Sequence, residues 1–218
     1  EGLSPLGNEL DFTGKTVLVV GGSSGIGNGI AQAFLKRGAC VHVWGTRASA
    51  ADYASEDGSE LTGMGYTQVD VSDAAAIAAA PAPFDALDVL VHSQGTVLYR
   101  RKEFEPEGWA KVMAVNLDSI LHISNRLHPA LVAAKGTVIA VSSIGAFKAT
   151  FANPAYAASK AGVVNLIRAL AIAWAGDGIR VNGLAPSLVD TKMTKVTMDN
   201  QERRDRALAK IPMGRFGA

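Results

Sequence analysis

Six short runs read as strands, the first of them mostly apolar: Lys15 to Val20, Val41 to Trp44, Tyr66 to Val69, Leu87 to Val91, Thr137 to Val141 and Ile179 to Leu184. Runs that are apolar throughout, rather than alternating, are expected of strands whose two faces are both covered by helices. Helical patterns lie between them. Ile26 to Arg37 is apolar-periodic and stops at Gly38, a natural helix terminator. Ala74 to Ala80 reads as a short helix or loop, stopped by Pro81 and Pro83. Trp109 to Ala133 carries a long helical pattern with a bend expected near Pro129. Ala155 to Trp174 is a long helix, apolar nearly all round and therefore buried on most sides. Thr191 to Lys210 is mixed in charge and helical in tone, and is expected to form a flap rather than core. Alternating strands and helices predict an α/β chain with a doubly wound parallel sheet, flanked by helices and joined by right-handed crossovers.

The length, 218 residues, suits one sizeable domain and is short for two. Residues 1–218 are accordingly read as a single domain. A net charge of +1, from 21 basic and 20 acidic residues, gives no electrostatic reason to expect nucleic acid or an anionic membrane as partner. The single Cys40 excludes an internal disulfide and fits a reducing compartment. No segment is long and apolar enough for a membrane span, and Glu1 to Leu10 lacks the basic-then-apolar layout of a secretory leader. A cytoplasmic protein is expected. Nothing in Met213-Gly214-Arg215-Phe216-Gly217-Ala218 looks like a domain terminus, so further sequence is expected beyond it.

Gly21-Gly22-Ser23-Ser24-Gly25-Ile26-Gly27 falls between the first predicted strand and the first predicted helix. Glycines there let the backbone turn tightly and let a pyrophosphate approach it, while the helix N-terminus offers free N–H groups and partial positive charge. The strand–turn–helix context makes the Gly cluster a dinucleotide-binding candidate of Rossmann type rather than an ordinary loop.

The spacing of Gly21, Gly25 and Gly27 resembles that of the short-chain dehydrogenase/reductase family, and further matches follow in order. Asp70-Val71 resembles the family's adenine contact. Asn116, within Val115-Asn116-Leu117, matches its helix Asn. Ser143 matches its serine, and Tyr156 with Lys160 matches its Tyr-x-x-x-Lys signature. Asn182 to Thr191 resembles the segment that meets the nicotinamide, which brings in Pro186, Ser187, Val189 and Thr191. The resemblance runs from about Lys15 to the end of the chain. The chain departs from the family at Val20, where Thr is usual, and at Pro186-Ser187, where Pro-Gly is usual. It departs again at His92-Ser93-Gln94-Gly95, where Asn-Asn-Ala-Gly is usual. Gly95 keeps the small turn, and Ser93 and Gln94 can still hydrogen-bond.

The residue types suit hydride transfer to a carbonyl, which leaves negative charge on oxygen and requires a proton. A free tyrosine is a weak base at neutral pH, with a pKa of about 10, and a nearby ammonium favours its phenolate. Tyr156 and Lys160 stand four apart in a helical stretch and share a face. Tyr156 is then the acid in reduction and the base in oxidation. Lys160 would depress the tyrosine pKa and hold the nicotinamide ribose, and Ser143 would donate to the substrate oxygen. The resemblance implies that Asn116 holds a water linking Lys160 to solvent. Taken singly, each of these residues also has a structural reading, as packed aromatic, strand-end hydroxyl or solvent-facing amide.

At the end of the second predicted strand an acid would bond the adenosine ribose of NAD, whereas Arg suits the phosphate of NADP. Here Trp44-Gly45-Thr46-Arg47 puts Gly45 where NAD-type relatives carry Asp, and Arg47 close enough to meet a phosphate. Ser24 stands where many NADP-using relatives carry a basic residue. NADP(H) is expected, with NAD(H) as the alternative and Arg47 as a solvated loop residue in that case. His42, His92, His122 and His128 show no metal-binding spacing, so no metal is expected, although His92 borders the site. The basic groups Arg100-Arg101-Lys102 and Arg203, Arg204, Arg206 are diluted by Glu103, Glu105, Glu202 and Asp205 and read as solvated surface.

The expected function is an oxidoreductase acting on a small ketone or secondary alcohol, assembled as a homodimer or homotetramer through the Tyr156 to Trp174 helix. The rivals are a non-enzymatic dinucleotide sensor and an epimerase or dehydratase of a related branch.

Overall fold

The computed structural model describes residues 10–148 and 152–217. The N-terminal stretch judged to lack a leader lies, up to residue 9, outside the described residues, as does Ala218. Six parallel strands form one sheet: β1 Thr16–Val20, β2 Cys40–Gly45, β3 Gly65–Gln68, β4 Val89–His92, β5 Thr137–Val141 and β6 Arg180–Leu184. Their order is β3-β2-β1-β4-β5-β6. The doubly wound architecture expected from the apolar runs is therefore the one observed.

β1 shows why its run is apolar from Val17 to Val20. Val17 and Val19 belong to one core cluster with Ala31, and Leu18 and Val20 belong to another with Ile123, Leu127 and Leu131. Successive strand side chains point to opposite faces, so a strand buried on both sides has no position left for a polar residue. The first cluster lies under α1 (Gly25–Leu35); the second lies under α2 (Ala74–Ala79), α4 (Ser119–Ala134) and α5 (Pro154–Ala173).

The long pattern from Trp109 onward is broken differently than expected. Its helix begins earlier, as α3 (Pro106–Met113), with the proline at the first helical position where a missing N–H costs nothing. It then widens into one π-helical turn over Ala114–Asp118 before continuing as α4, which carries Pro129 inside it. The interruption thus falls at Asn116 and not at Pro129. The Asn116 side chain is held by the backbone of Thr96, and Ser119 Oγ donates to the Val115 carbonyl across the wide turn. Thr191 to Lys210 forms a 3-10 turn (Lys192–Thr194), α6 (Lys195–Met198) and α7 (Gln201–Leu208). Tyr99 Oη donates to the Met193 carbonyl at 2.8 Å and Lys192 Nζ pairs with Glu56 at 2.9 Å, so both ends of the cleft grip this flap. Among the described residues no helix is long and apolar enough to cross a membrane.

Candidate active site

Strand order reverses between β1 and β4, and ligands of open α/β sheets sit at such a switch point, beyond the carboxyl ends of the strands. A cavity of about 790 Å³ opens there, within the usual range for a cofactor-sized site. All the expected cofactor-binding residues except one line it. Gly21, Ser23, Ser24, Gly25, Ile26 and Gly27 come from the turn after β1; Thr46, Asp70 and Val71 follow β2 and β3. Ser93 and Gly95 follow β4, while Pro186, Ser187, Val189 and Thr191 follow β6.

The turn after β1 is built for close approach. Gly21 has φ +74°, and a Cβ there would lie 2.6 Å from the Gln94 nitrogen. A Cβ on Gly27 would lie 2.2 Å from the Gly21 carbonyl oxygen. Ser24 at the N-cap makes no side-chain cap, and the N–H groups of Ile26 and Gly27 find no acceptor among the described residues. A helix start with free N–H groups facing a cavity fits a pyrophosphate.

Ser143, Tyr156 and Lys160 also line this cavity. Ser143 caps a short turn, its Oγ accepting the Gly145 N–H at 3.0 Å, which leaves the hydroxyl hydrogen to donate elsewhere. Tyr156 and Lys160 lie in the first two turns of α5, with Nζ 5.9 Å from the centre of the Tyr156 ring. Lys160 is 4% exposed and donates from Nζ to the Val141 carbonyl at 2.8 Å. Burial pulls its pKa from 10.5 down to about 8. The Cβ that Gly95 lacks would lie 3.6 Å from this Nζ, so the glycine leaves the ammonium open to the cavity.

Two expected site residues sit elsewhere. Asn116 is fully buried and does not line the cavity. Its Oδ1 accepts the Thr96 N–H at 2.7 Å, and its Nδ2 donates to the Thr96 carbonyl at 3.0 Å and to Ser159 Oγ at 3.1 Å. Its side chain braces the cavity wall from behind. Arg47 likewise is not a lining residue. Its guanidinium donates to Glu56 and to the Asp52 carbonyl and lies 4.5 Å over the Tyr53 ring. The expected phosphate contact would require it to leave Glu56. Gly45 is better explained: a Cβ there would lie 2.8 Å from Tyr66 Oη and 3.0 Å from Tyr53 Oη, leaving no room for an acid. Both hydroxyls are fixed, Tyr66 donating to the Arg47 carbonyl and Tyr53 accepting the Thr46 and Arg47 N–H groups.

The departure at residues 92–95 resolves into a buried polar chain. Gln94 Nε2 donates to Ser119 Oγ at 2.9 Å and to His92 Nδ1 at 3.2 Å. An amide nitrogen only donates, so His92 Nδ1 accepts and its Nε2–H donates to Ser124 Oγ at 2.8 Å. Burial drives the His92 pKa down to about 3, so the ring is neutral. His92 fastens β4 to α4 and does not line the cavity.

Sequence reading missed Tyr99 and Glu103. Tyr99 lines the cavity, and its hydroxyl pKa is raised by burial and by the nearby Tyr156 and Glu103. Glu103, read as solvated surface, is instead completely buried. No periodic signal marks either residue, because Tyr99 lies in a turn and Glu103 in a single 3-10 turn (Lys102–Phe104) too short to show a period.

A switch-point cavity with an anion-binding helix start, a Tyr–Lys pair and a serine donor defines a nicotinamide-dinucleotide-dependent oxidoreductase. Residues 20–218 match the sequence profile of the family described as enoyl-(acyl carrier protein) reductase. A 3-oxoacyl-[acyl-carrier-protein] reductase of Chlamydia trachomatis is 36% identical over 214 residues, covering 93% of this chain and 84% of that protein. A 2-dehydro-3-deoxy-D-gluconate 5-dehydrogenase of Pseudoalteromonas atlantica is 36% identical over 219 residues, covering 96% and 85%. The crystal structure of a gluconate 5-dehydrogenase from Burkholderia cenocepacia, in complex with NADP and tartrate, superposes with a TM-score of 0.84 at 27% identity, covering 95% and 84%. The chain belongs to the short-chain dehydrogenase/reductase family.

Proposed function

We propose that this enzyme uses NADP(H) to interconvert a ketone and a secondary alcohol, with Tyr156 as the acid–base. The observation that carries this reading is the convergence of Ser143, Tyr156 and a buried Lys160 on the cavity that also holds the free helix start of α1. The bound cofactor supplies the hydride. Tyr156 gives its proton to the carbonyl oxygen, and the Ser143 hydroxyl donates to the same oxygen as charge develops. Lys160, held by the Val141 carbonyl, supplies positive charge beside the Tyr156 ring and a donor for the nicotinamide ribose. Asn116 fixes the wall at Thr96; a water joining it to Lys160 remains part of the proposal.

The choice of NADP(H) is supported by the closed space at Gly45 and by the NADP bound to the Burkholderia relative. Side-by-side fluorescence titration tests it. NADPH is expected to bind at least about tenfold tighter than NADH, roughly 1.4 kcal/mol, and equal affinity would overturn the assignment.

The substrate is proposed to carry an anionic group. A second recess of about 310 Å³ adjoins the first through Ile144, Lys148, Ser187 and Leu188, and Lys148, Arg203, Arg206 and Lys210 line it. The relatives named for sugar acids and the tartrate complex point the same way. A panel of ketones with and without a carboxylate, assayed with NADPH, should show KM values for the acids that rise with salt. Preference for the neutral ketones would refute it.

Assembly as a homodimer or homotetramer is proposed through the outer face of α5. There Ala158, Ala161 and Ala169 are exposed and Ile172 is 81% exposed. Light scattering showing a monomer would overturn this. A cytoplasmic setting is proposed on the single free cysteine, Cys40.

A further inference from the structure

Glu103 is a fully buried carboxylate with no cationic partner among the described residues. An unpaired charge in such a place is costly unless hydrogen bonds satisfy it. Here they are all directed at the catalytic wall. Oε2 accepts the backbone N–H of Tyr156 at 2.9 Å. Oε1 accepts the backbone N–H of Leu98 at 3.0 Å and lies 3.4 Å from Asn153 Nδ2. The Asn153 amide also donates to the Leu98 carbonyl at 3.1 Å.

Tyr156 is the third residue of α5, so its N–H is one of the helix's four orphan donors. The residue placed to cap it, Asn153, makes no side-chain cap. Glu103 provides that cap from another segment, and the negative charge also complements the positive end of the α5 dipole. Its other oxygen grips Leu98, next to Val97 and Tyr99 in the cavity wall. The backbone is bent to deliver it. Arg100 and Arg101 both have positive φ, 58° and 63°, a conformation that non-glycine residues keep only where surroundings impose it.

We infer that Glu103 is a positioning residue for Tyr156: one buried carboxylate locks the start of the catalytic helix to the Thr96–Tyr99 wall and so fixes the phenol relative to the substrate oxygen. The inference rests on the functional reading above in taking Tyr156 as the acid–base. Reaction rate is sensitive to small misplacements of such a group, whereas cofactor affinity, set at Gly21–Gly27 and beyond, is not.

The test is Glu103→Gln, which keeps shape and volume. It retains one acceptor oxygen and turns an NH2 group toward one of the two N–H donors. The expected result is a kcat lowered by about tenfold or more, with KM for the ketone and Kd for NADPH within about twofold of wild type. Faster hydrogen exchange should appear in the segment containing the Tyr156 amide. A kcat equal to wild type, or NADPH affinity falling in step with kcat, would overturn the inference. If E103Q does not fold, Glu103→Asp, which keeps both oxygens one methylene short, is read by the same criteria. A wild-type enzyme that turns over no ketone would defeat the functional reading instead, and Glu103 is then judged on exchange at Tyr156 alone.

Discussion

Replacing Lys160 by methionine should stabilise the protein while it disables the enzyme. Methionine fills nearly the same volume and has no charge to bury. The ammonium is 4% exposed and its pKa falls from 10.5 unfolded to about 8 folded, entirely through burial. At about 1.4 kcal/mol per pH unit, that depression means the charged lysine weakens the fold by about 3 kcal/mol below pH 8. The substitution also removes the donor to the Val141 carbonyl, a loss of about 1 kcal/mol. The net gain for Lys160→Met near pH 7 is therefore about 2 kcal/mol. The sign of the pH dependence follows from proton counting. Between pH 8 and 10.5 the unfolded chain binds a proton that the folded protein has lost, so wild-type stability rises through this window and the advantage of K160M disappears. Urea unfolding of both cofactor-free proteins, at a series of pH values from about 7 to 10.5, measures it. Turnover should fall by about a hundredfold or more in the same variant. A K160M protein no more stable than wild type at neutral pH, or an advantage that does not shrink toward alkaline pH, would refute the burial argument.

Tyr156→Phe should lower turnover by about a hundredfold or more while leaving the NADPH affinity within about twofold, as read by steady-state kinetics and fluorescence titration. His92, with its folded pKa down at about 3 against 6.5 unfolded, contributes stability that is fully present above pH 6.5 and is lost as pH falls toward 3. His92→Gln should flatten that loss, which approaches about 1.4 kcal/mol per pH unit in wild type, in urea melts between pH 6.5 and 4. Gly21→Ala forces a side chain onto the Gln94 nitrogen at positive φ and should cost about 1–3 kcal/mol of stability, with weaker NADPH binding, by thermal melt and titration.

What was legible in the sequence was what local pattern encodes. β5 occupies the run Thr137–Val141 that was expected, and the other strands begin or end within two residues of theirs. In β1 and β4 burial on both faces leaves the apolar signature, whereas β3 and β6 lie at the sheet edges and are largely exposed or half-buried. The Gly21–Gly27 turn was readable because its geometry needs glycines close together. What escaped depended on partners far along the chain. The π turn at Asn116 is held by Thr96, 20 residues earlier. Arg47 stands at the end of β2 as the ribose rule predicts, but Glu56, nine residues on, takes its guanidinium. Arg203 and Arg206 looked diluted by Glu202 and Asp205; in space they join Lys148 and Lys210 around one recess. Glu103 looked like a counter-charge to its basic neighbours, and its true partner is an N–H 53 residues away.

Lys160 and Glu103 are opposite charges buried at the same end of one helix, yet no ion pair joins them among the described residues. A direct pair would have offset both burial penalties. It would also have set a carboxylate against the ammonium that Tyr156 needs beside it. The fold instead satisfies each charge with backbone: Nζ with the Val141 carbonyl, the carboxylate with the N–H groups of Tyr156 and Leu98. Backbone dipoles compensate a buried charge without cancelling it, so Lys160 keeps its positive field for the phenol while Glu103 holds that phenol in place. Stability given up at Lys160 is then a direct consequence of keeping the ammonium chemically available, which is why its removal should raise the melting point and cut turnover in one step.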